Sequence, residues 1–166
     1  RHSLELIDAF GFGIAIATKS PLLFRDVDIL ENIREHSPVL CKVTVTTIDD
    51  NLAAKVEPRA ASSSARLDLI ARLSSRGVFT GILLMPVLPF LEDNTENILG
   101  IVKAAHEAGA KFIYAEFGMT LRGRQKEWYF SQLEQLFPGE NLALRYGRAY
   151  KNNYICPSPR AKTLWN

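Results

Sequence analysis

Cysteine is scarce in this sequence. Its 166 residues hold two, Cys41 and Cys156, too few for a disulfide framework and short of the three or four ligands of a structural zinc site. Such usage fits a reducing compartment, and a cytoplasmic setting is the expectation. No apolar run approaches the ~20 residues needed to cross a bilayer, so no membrane partner is expected. The opening "RHSLELIDAF" has no basic stretch followed by an apolar one, and reads as free of a signal peptide. Gly-x-Gly-x-x-Gly turns and phosphate-loop signatures are also missing, which removes the usual marks of a nucleotide-binding doubly wound fold. There is little excess charge of either sign. Twenty basic and 18 acidic side chains leave a formal net charge of +2, too weak to imply nucleic acid by itself.

The chain does have apolar content and a regular alternation. Hydrophobic residues make up 47% of it, enough for a real core in a single domain of this length. "HSLELIDAF" has helical spacing in Leu4, Ile7 and Phe10, so the chain opens inside a helix and reads as a piece of a longer protein. "GIAIATK" is a short apolar strand. "DVDILENIREH" is a helix with Asp26 as N-cap and Val27, Leu30 and Ile33 on one face. "CKVTVTTI" is a β-branched strand, with Cys41 just ahead of it at the bottom face. "SSARLDLIARLSSRG" is a helix capped by Ser63 or Ser64 and stopped by Gly77. The strand "VFTGILLM" leads to the helix "NTENILGIVKAAHEAG", whose stripe is Ile98, Ile101, Val102 and Ala105. The strand "KFIYAEF" leads to the helix "RQKEWYFSQLEQLF".

That order is β-α four times over, the spacing of βαβ units. It predicts an α/β fold with a parallel sheet: about four parallel βα units forming a partial (β/α) barrel, since four cannot close an eight-stranded one. Residues 1–139 form this barrel part, and 140–166 an extension packed on it.

Ligands of parallel βα folds sit at the C-terminal ends of the strands. Here those ends are Thr18-Lys19-Ser20, Thr46-Thr47 with Asp49-Asp50, Met85-Pro86 and Glu116-Phe117-Gly118. Thr44 and Thr46 share a face by alternation, one that can point into the barrel; ordinary β-propensity is the plainer explanation of both. Lys19 reads either as a ligand contact or as a solvated strand-end lysine paired with Asp49 or Asp26. Asp49 and Asp50 read as caps, Glu57-Pro58 as a turn, and Arg66 as a surface helix arginine. His2, His36 and His106 fall in helices away from this rim. Cys156 lies in the irregular "NNYICPSP", which can fold over the rim, although a buried inert thiol is the commoner outcome.

The segments "TKSPLLFRD", "VTVTTID", "EPRAASSSARLDLIARLSSRGV", "LMPVLPFLED" and "AGAKFIYAEFGMTLRGRQKEWYF", in this order, together with "YICPSP" in the tail, resemble the later part of radical S-adenosylmethionine proteins of the spore photoproduct lyase-like group. The resemblance implies a (β/α)6 barrel. It also implies a [4Fe-4S] cluster on a C-x3-C-x2-C loop, and S-adenosylmethionine cleaved to a 5′-deoxyadenosyl radical that abstracts a substrate hydrogen. Lys19 matches the family lysine that contacts the cofactor, with Thr18 and Ser20 beside it. Thr44 or Thr46 matches a hydroxyl contact, and Met85-Pro86 the strand end against the adenosine. Cys156 matches the idea of a thiol that quenches a substrate radical. The electron donor expected is a flavodoxin or ferredoxin. The C-x3-C-x2-C loop is absent from the sequence, so the cluster ligands are expected upstream of Arg1 and the chain alone is expected to be inactive.

Two other readings stand beside this one: a βα-barrel lyase or aldolase forming a Schiff base on Lys19, and a non-catalytic module derived from a radical enzyme. The substrate is open. Nucleic acid is one class the basic tail admits, through Arg145, Arg148, Lys151, Arg160 and Lys162 with Tyr146, Tyr150 and Tyr154 interleaved; a solvated basic face is the plainer reading.

Overall fold

The computed structural model describes residues 1–165. Four strands, β1 (Ile14–Thr18), β2 (Val39–Thr44), β3 (Phe79–Leu84) and β4 (Ile113–Ala115), pair in chain order, and every pair is parallel. The helices before and between them are α1 (His2–Ala9), α2 (Val27–His36), α3 (Asp50–Val56), α4 (Ser63–Ser75) and α5 (Thr95–Glu107). After β4 come β5 (Gly118–Thr120), α6 (Gln125–Leu136), α7 (Leu142–Tyr150), β6 (Ile155–Pro157) and α8 (Ala161–Leu164). No helix among the described residues is long and apolar enough to cross a membrane.

The core lies on one face of the sheet. Val39, Cys41 and Val43 of β2 and Ile82 and Leu84 of β3 pack against Leu30 and Ile33 of α2, Leu69, Ile70 and Leu73 of α4, and Ile98 and Ile101 of α5. The other face follows from alternation and register. Its rows are Ala15–Leu40–Phe79, Ala17–Lys42–Gly81 and Thr44–Leu83–Tyr114. None of these residues belongs to that core, and Ala15, Ala17, Phe79 and Tyr114 are exposed. A parallel sheet normally has both faces covered; in this chain helices cover only one.

The N-terminal end of the open face carries an aromatic plug. Phe79 stacks on Phe112, with ring centroids 5.6 Å apart. Phe112 also crowds Gly81, where a Cβ would lie 2.4 Å from the Phe112 carbonyl oxygen and 2.6 Å from its ring. This explains a glycine inside a strand, where the missing side chain otherwise costs stability.

A second core forms beyond β4. Leu121, Leu133, Phe137, Leu142, Tyr146, Tyr150 and Cys156 pack together, and β5 and β6 form an antiparallel ribbon. The tail therefore shares a core with α6. It is tied to the loop after β3 by the Tyr146 hydroxyl, which donates to the Pro89 carbonyl (2.7 Å), and by the Ser158 hydroxyl, which donates to the Asp93 carboxylate (2.5 Å).

Several local expectations are corrected. Cys41 lies inside β2 and is fully buried, not ahead of the strand. Ser62, not Ser63 or Ser64, caps α4 by accepting from the Ala65 N–H (3.2 Å). Asp26 holds the N-cap position of α2, but its carboxylate is turned to Arg25 (2.8 Å) and makes no cap bond. Phe10 is exposed because α1 ends at Ala9 and leaves it at the C-cap, and Val102 is exposed because the buried stripe of α5 runs through Ile98, Ile101 and Ala105. The strand around β2 ends at Thr44, ahead of Thr46.

The crowding at Gly81 sets a test. Gly81→Ala should destabilise the chain by about 1–3 kcal/mol, because the nearest obstacle is backbone and cannot rotate away. Urea denaturation of the two chains measures the difference; equal midpoints would mean that Phe112 does not press on this strand.

Candidate functional site

The C-terminal strand ends converge on one rim. By alternation, Lys19 continues the Ala15–Ala17 side of β1, and Met85 and Glu116 continue the Leu83 and Tyr114 side. Lys19, Thr44, Met85 and Glu116 thus fall on the open face at its C-terminal edge.

Lys19 is paired, but with neither aspartate. Its ammonium meets Oε1 of Glu57, the residue that ends α3. The other carboxylate oxygen, Oε2, accepts from Arg66 Nη2 (2.6 Å). Arg66 is not a surface residue: it is 1% exposed. Its Nη1 donates to the Thr44 carbonyl (3.1 Å) and its Nε to the Ala61 carbonyl (2.8 Å). One planar fork thus joins β2, the α3–α4 loop and Glu57, and Glu57 carries Lys19. Burial pushes the Glu57 carboxyl up, but hydrogen bonds and charge from Lys19 and Arg66 outweigh that and hold it below the usual range.

A second network fixes the next loop. The Thr46 hydroxyl donates to Glu92 Oε1 (2.8 Å), and Glu92 Oε2 accepts from the Leu88 N–H (2.8 Å). The Asn97 side chain donates to the Thr46 and Glu92 carbonyls (2.8 and 2.9 Å) and accepts from the Ile48 N–H (3.0 Å). Glu92 is 1% exposed. Burial raises its carboxyl to about 7, opposed by the Leu88 and Thr46 hydrogen bonds and helped by the charge of Glu57.

Two clefts open here. One, of about 280 Å³, lies between α6 and the strand-end loops and is bordered by Thr46, Glu57, Pro86, Leu88, Glu92 and Trp128. The other, of about 500 Å³, is bordered by Leu83, Met85, Pro86, Glu116, Met119 and Gln125. Pro86, after a cis peptide bond, borders both.

The candidate residues divide accordingly. Lys19, Thr44, Thr46, Met85 and Pro86 gather around the rim. Thr18 and Ser20 serve the turn: Thr18 Oγ1 accepts from the Ser20 N–H (2.9 Å), and Ser20 Oγ from the Leu22 N–H (3.3 Å). Cys156 is fully buried in the second core and borders neither cleft; burial raises its thiol pKa. It does not fold over the rim, because β6 pairs with β5 and turns the thiol inward. In the tail, Tyr146 and Tyr150 are buried, which removes them as base-stacking platforms, and Tyr154 takes a hydrogen bond from Arg122 (2.6 Å). Glu57 and Arg66 escaped the sequence reading. Their only signal is a glutamate-proline turn followed nine residues after the glutamate by an arginine on the apolar side of a helix. Glu92 escaped it too.

No protein-family model matches the chain, and no solved structure matches it. Curated relatives do. Uncharacterized proteins of Mycobacterium tuberculosis and Mycobacterium bovis are each 31% identical over 153 residues, covering 92% of this chain and 44% of the relative. An uncharacterized protein of Acidianus two-tailed virus is 28% identical over 136 residues, covering 80% of this chain and 44% of the relative. The chain spans less than half the length of the curated relatives it matches.

Two outcomes follow from the networks. Arg66→Ala leaves Glu57 half-buried with only Lys19, and should cost about 3 kcal/mol in chemical denaturation. Arg66→Lys should recover little, since one ammonium cannot reproduce three directed contacts. For Glu92 the sign is set by a folded-state pKa raised above the unfolded value of 4.5. Its contribution is fully present below about 4.5 and is lost as pH rises toward 7. The stability of the wild-type chain relative to Glu92→Gln should therefore fall between those pH values; a flat difference would show that Glu92 ionises normally.

Proposed function

We propose that this chain is one wall of a partial (β/α) barrel in a radical S-adenosylmethionine enzyme of the spore photoproduct lyase-like group, with its strand ends holding part of the cofactor. The observation that carries the reading is the one-sided sheet. Helices cover a single face, as on a barrel wall, and Lys19, Thr44 and Met85 stand at the C-terminal edge of the other face. Ligands of parallel βα folds bind at that edge.

The rim residues fit the cofactor. Glu57 engages one side of the Lys19 ammonium, and the side chain is still 39% exposed, so its remaining donors are free to meet a carboxylate. Of the two threonines, Thr44 is the better contact. It shares the open face with Leu83 and Met85, whereas the Thr46 hydroxyl is already donated to Glu92. The cleft along Leu83, Met85 and Pro86 gives the adenosine an apolar wall. Thr18 and Ser20 act indirectly, by shaping the turn that carries Lys19. The [4Fe-4S] cluster does not fit these residues: among the described residues no group of three or more histidines, cysteines or carboxylates is placed to hold a metal. The reading assigns the cluster ligands to the remainder of a longer protein, consistent with relatives of more than twice the matched length.

In this class, bound S-adenosylmethionine supplies a 5′-deoxyadenosyl radical for hydrogen abstraction, with electrons from a flavodoxin- or ferredoxin-type donor. The part played by this chain is binding. Lys19 sets the cofactor's carboxylate, Glu57 and Arg66 set Lys19, and Thr44 and Met85 define the neighbouring surface. The Schiff-base alternative is weaker. Lysines that form such adducts sit desolvated in apolar pockets, and Lys19 is part-exposed against a carboxylate.

The test uses the longer protein, purified anaerobically and reconstituted with iron and sulfide. It should bind S-adenosylmethionine in equilibrium dialysis, and Lys19→Ala should weaken binding about tenfold or more, as loss of a charge-assisted hydrogen bond would. No iron-sulfur absorbance after reconstitution, or unchanged affinity in Lys19→Ala, would overturn the proposal.

A further inference from the structure

The 280 Å³ cleft beside the rim has an unusual balance of walls. Leu88, Leu91, Leu133 and the Trp128 side chain make it largely apolar, and two carboxylates border it. Glu57 is matched by Lys19 and Arg66. Glu92 is different. It is 1% exposed, its hydrogen bonds come from two neutral donors, Thr46 and the Leu88 N–H, and no cation among the described residues forms a salt bridge to it. Lys55 also borders the cleft, but it is exposed and its ammonium lies over the Phe137 ring, 5.4 Å from the centroid. A carboxyl placed in an apolar recess without a counter-charge is costly on its own and is relieved by a cation arriving with a ligand.

We infer that this cleft binds a small, largely apolar molecule carrying one basic nitrogen, with the nitrogen toward Glu92 and the apolar body along Leu88, Leu133 and Trp128. A volume near 300 Å³ is at the small end of ligand clefts, which combine apolar walls with a few polar groups that fix orientation. An anionic ligand would set its charge beside Glu92 and Glu57, with Lys55 at the exposed edge over Phe137. A neutral one would leave Glu92 to relieve its burial by protonation alone. The inference rests on the barrel reading only for its place in a reaction, as the substrate class beside the cofactor rim. The binding itself needs neither metal nor S-adenosylmethionine, so the two ideas fail separately.

Ionisation gives the site a signature. The charges that act on Glu92 are those of Glu57, at the end of α3, and Lys19; Tyr129 of α6 lies beside it, and Lys55 of α3 borders the same cleft. Burial holds Tyr129 up at about 12, so it stays neutral. Glu92, raised to about 7, is the group that ionises near neutrality, and amine affinity should rise as pH goes from 6 to 8.

Calorimetry on the chain with three probes of one shape tests this: 2-phenylethylamine, 2-phenylethanol and 3-phenylpropionate. The amine is expected to bind about tenfold more tightly than either of the others, and Trp128→Ala to weaken all three. Glu92→Gln, whose amide oxygen can accept from the Leu88 N–H while its amide nitrogen donates to the Thr46 hydroxyl, is expected to erase the preference, with its thermal melt checking that it folds. Equal affinities, a preference that survives in Glu92→Gln, or no binding of the amine at millimolar concentration would overturn the inference. The comparison of the three probes on the wild-type chain decides this without any variant.

Discussion

The guanidinium of Arg66 is the constraint around which the strand ends are arranged. It is almost wholly buried, and a buried cation is stable only if its donors are used. Here they are used on the Thr44 carbonyl, the Ala61 carbonyl and Glu57. Each contact fixes a different piece of backbone: the end of β2, the loop before α4, and the end of α3. Lys19, just after β1, is held through Glu57. The position of a part-exposed lysine is thus set by an arginine that is almost wholly buried.

The same logic governs the neighbouring loop with different chemistry. Glu92, Asn97 and Thr46 join the end of β2 to the segment after β3 through hydrogen bonds between buried groups. The loop after β3 is also bound to the tail, through Tyr146 on Pro89 and Ser158 on Asp93. The C-terminal extension therefore closes the back of the region that the strand ends open. The two clefts share Pro86, so their shapes are coupled through one rigid residue.

The sheet itself poses a physical problem that the chain leaves open. Strands β1 to β4 bury one face well and present Ala15, Leu40, Phe79, Leu83 and Tyr114 on the other. An apolar face of this kind calls for cover. Relatives more than twice as long as the matched region have the chain length to supply it. The barrel reading and the open face are in this respect one proposition.

Much of the fold was legible in the residues. Apolar strands such as "GIAIAT" and amphipathic helices such as "DVDILENIREH" differ in period, and their alternation alone dictates a parallel α/β sheet. Lys19 could be found because it ends an apolar strand abruptly. Glu57, Arg66 and Glu92 could not, because a charged residue on a helix or in a turn reads as solvated until its neighbours are known. Burial of a charge is a property of contacts far apart in sequence: Glu57 lies 38 residues from Lys19, and Glu92 lies 46 from Thr46. Cys156 shows the converse. An irregular segment can go anywhere, and only its pairing with β5 turned the thiol into the core. The sequence by itself determined the four βα repeats, their order and the parallel direction of their strands, since these follow from local period and chain direction. Tertiary structure alone decided which charges are buried together, and so which cations and carboxylates the rim offers.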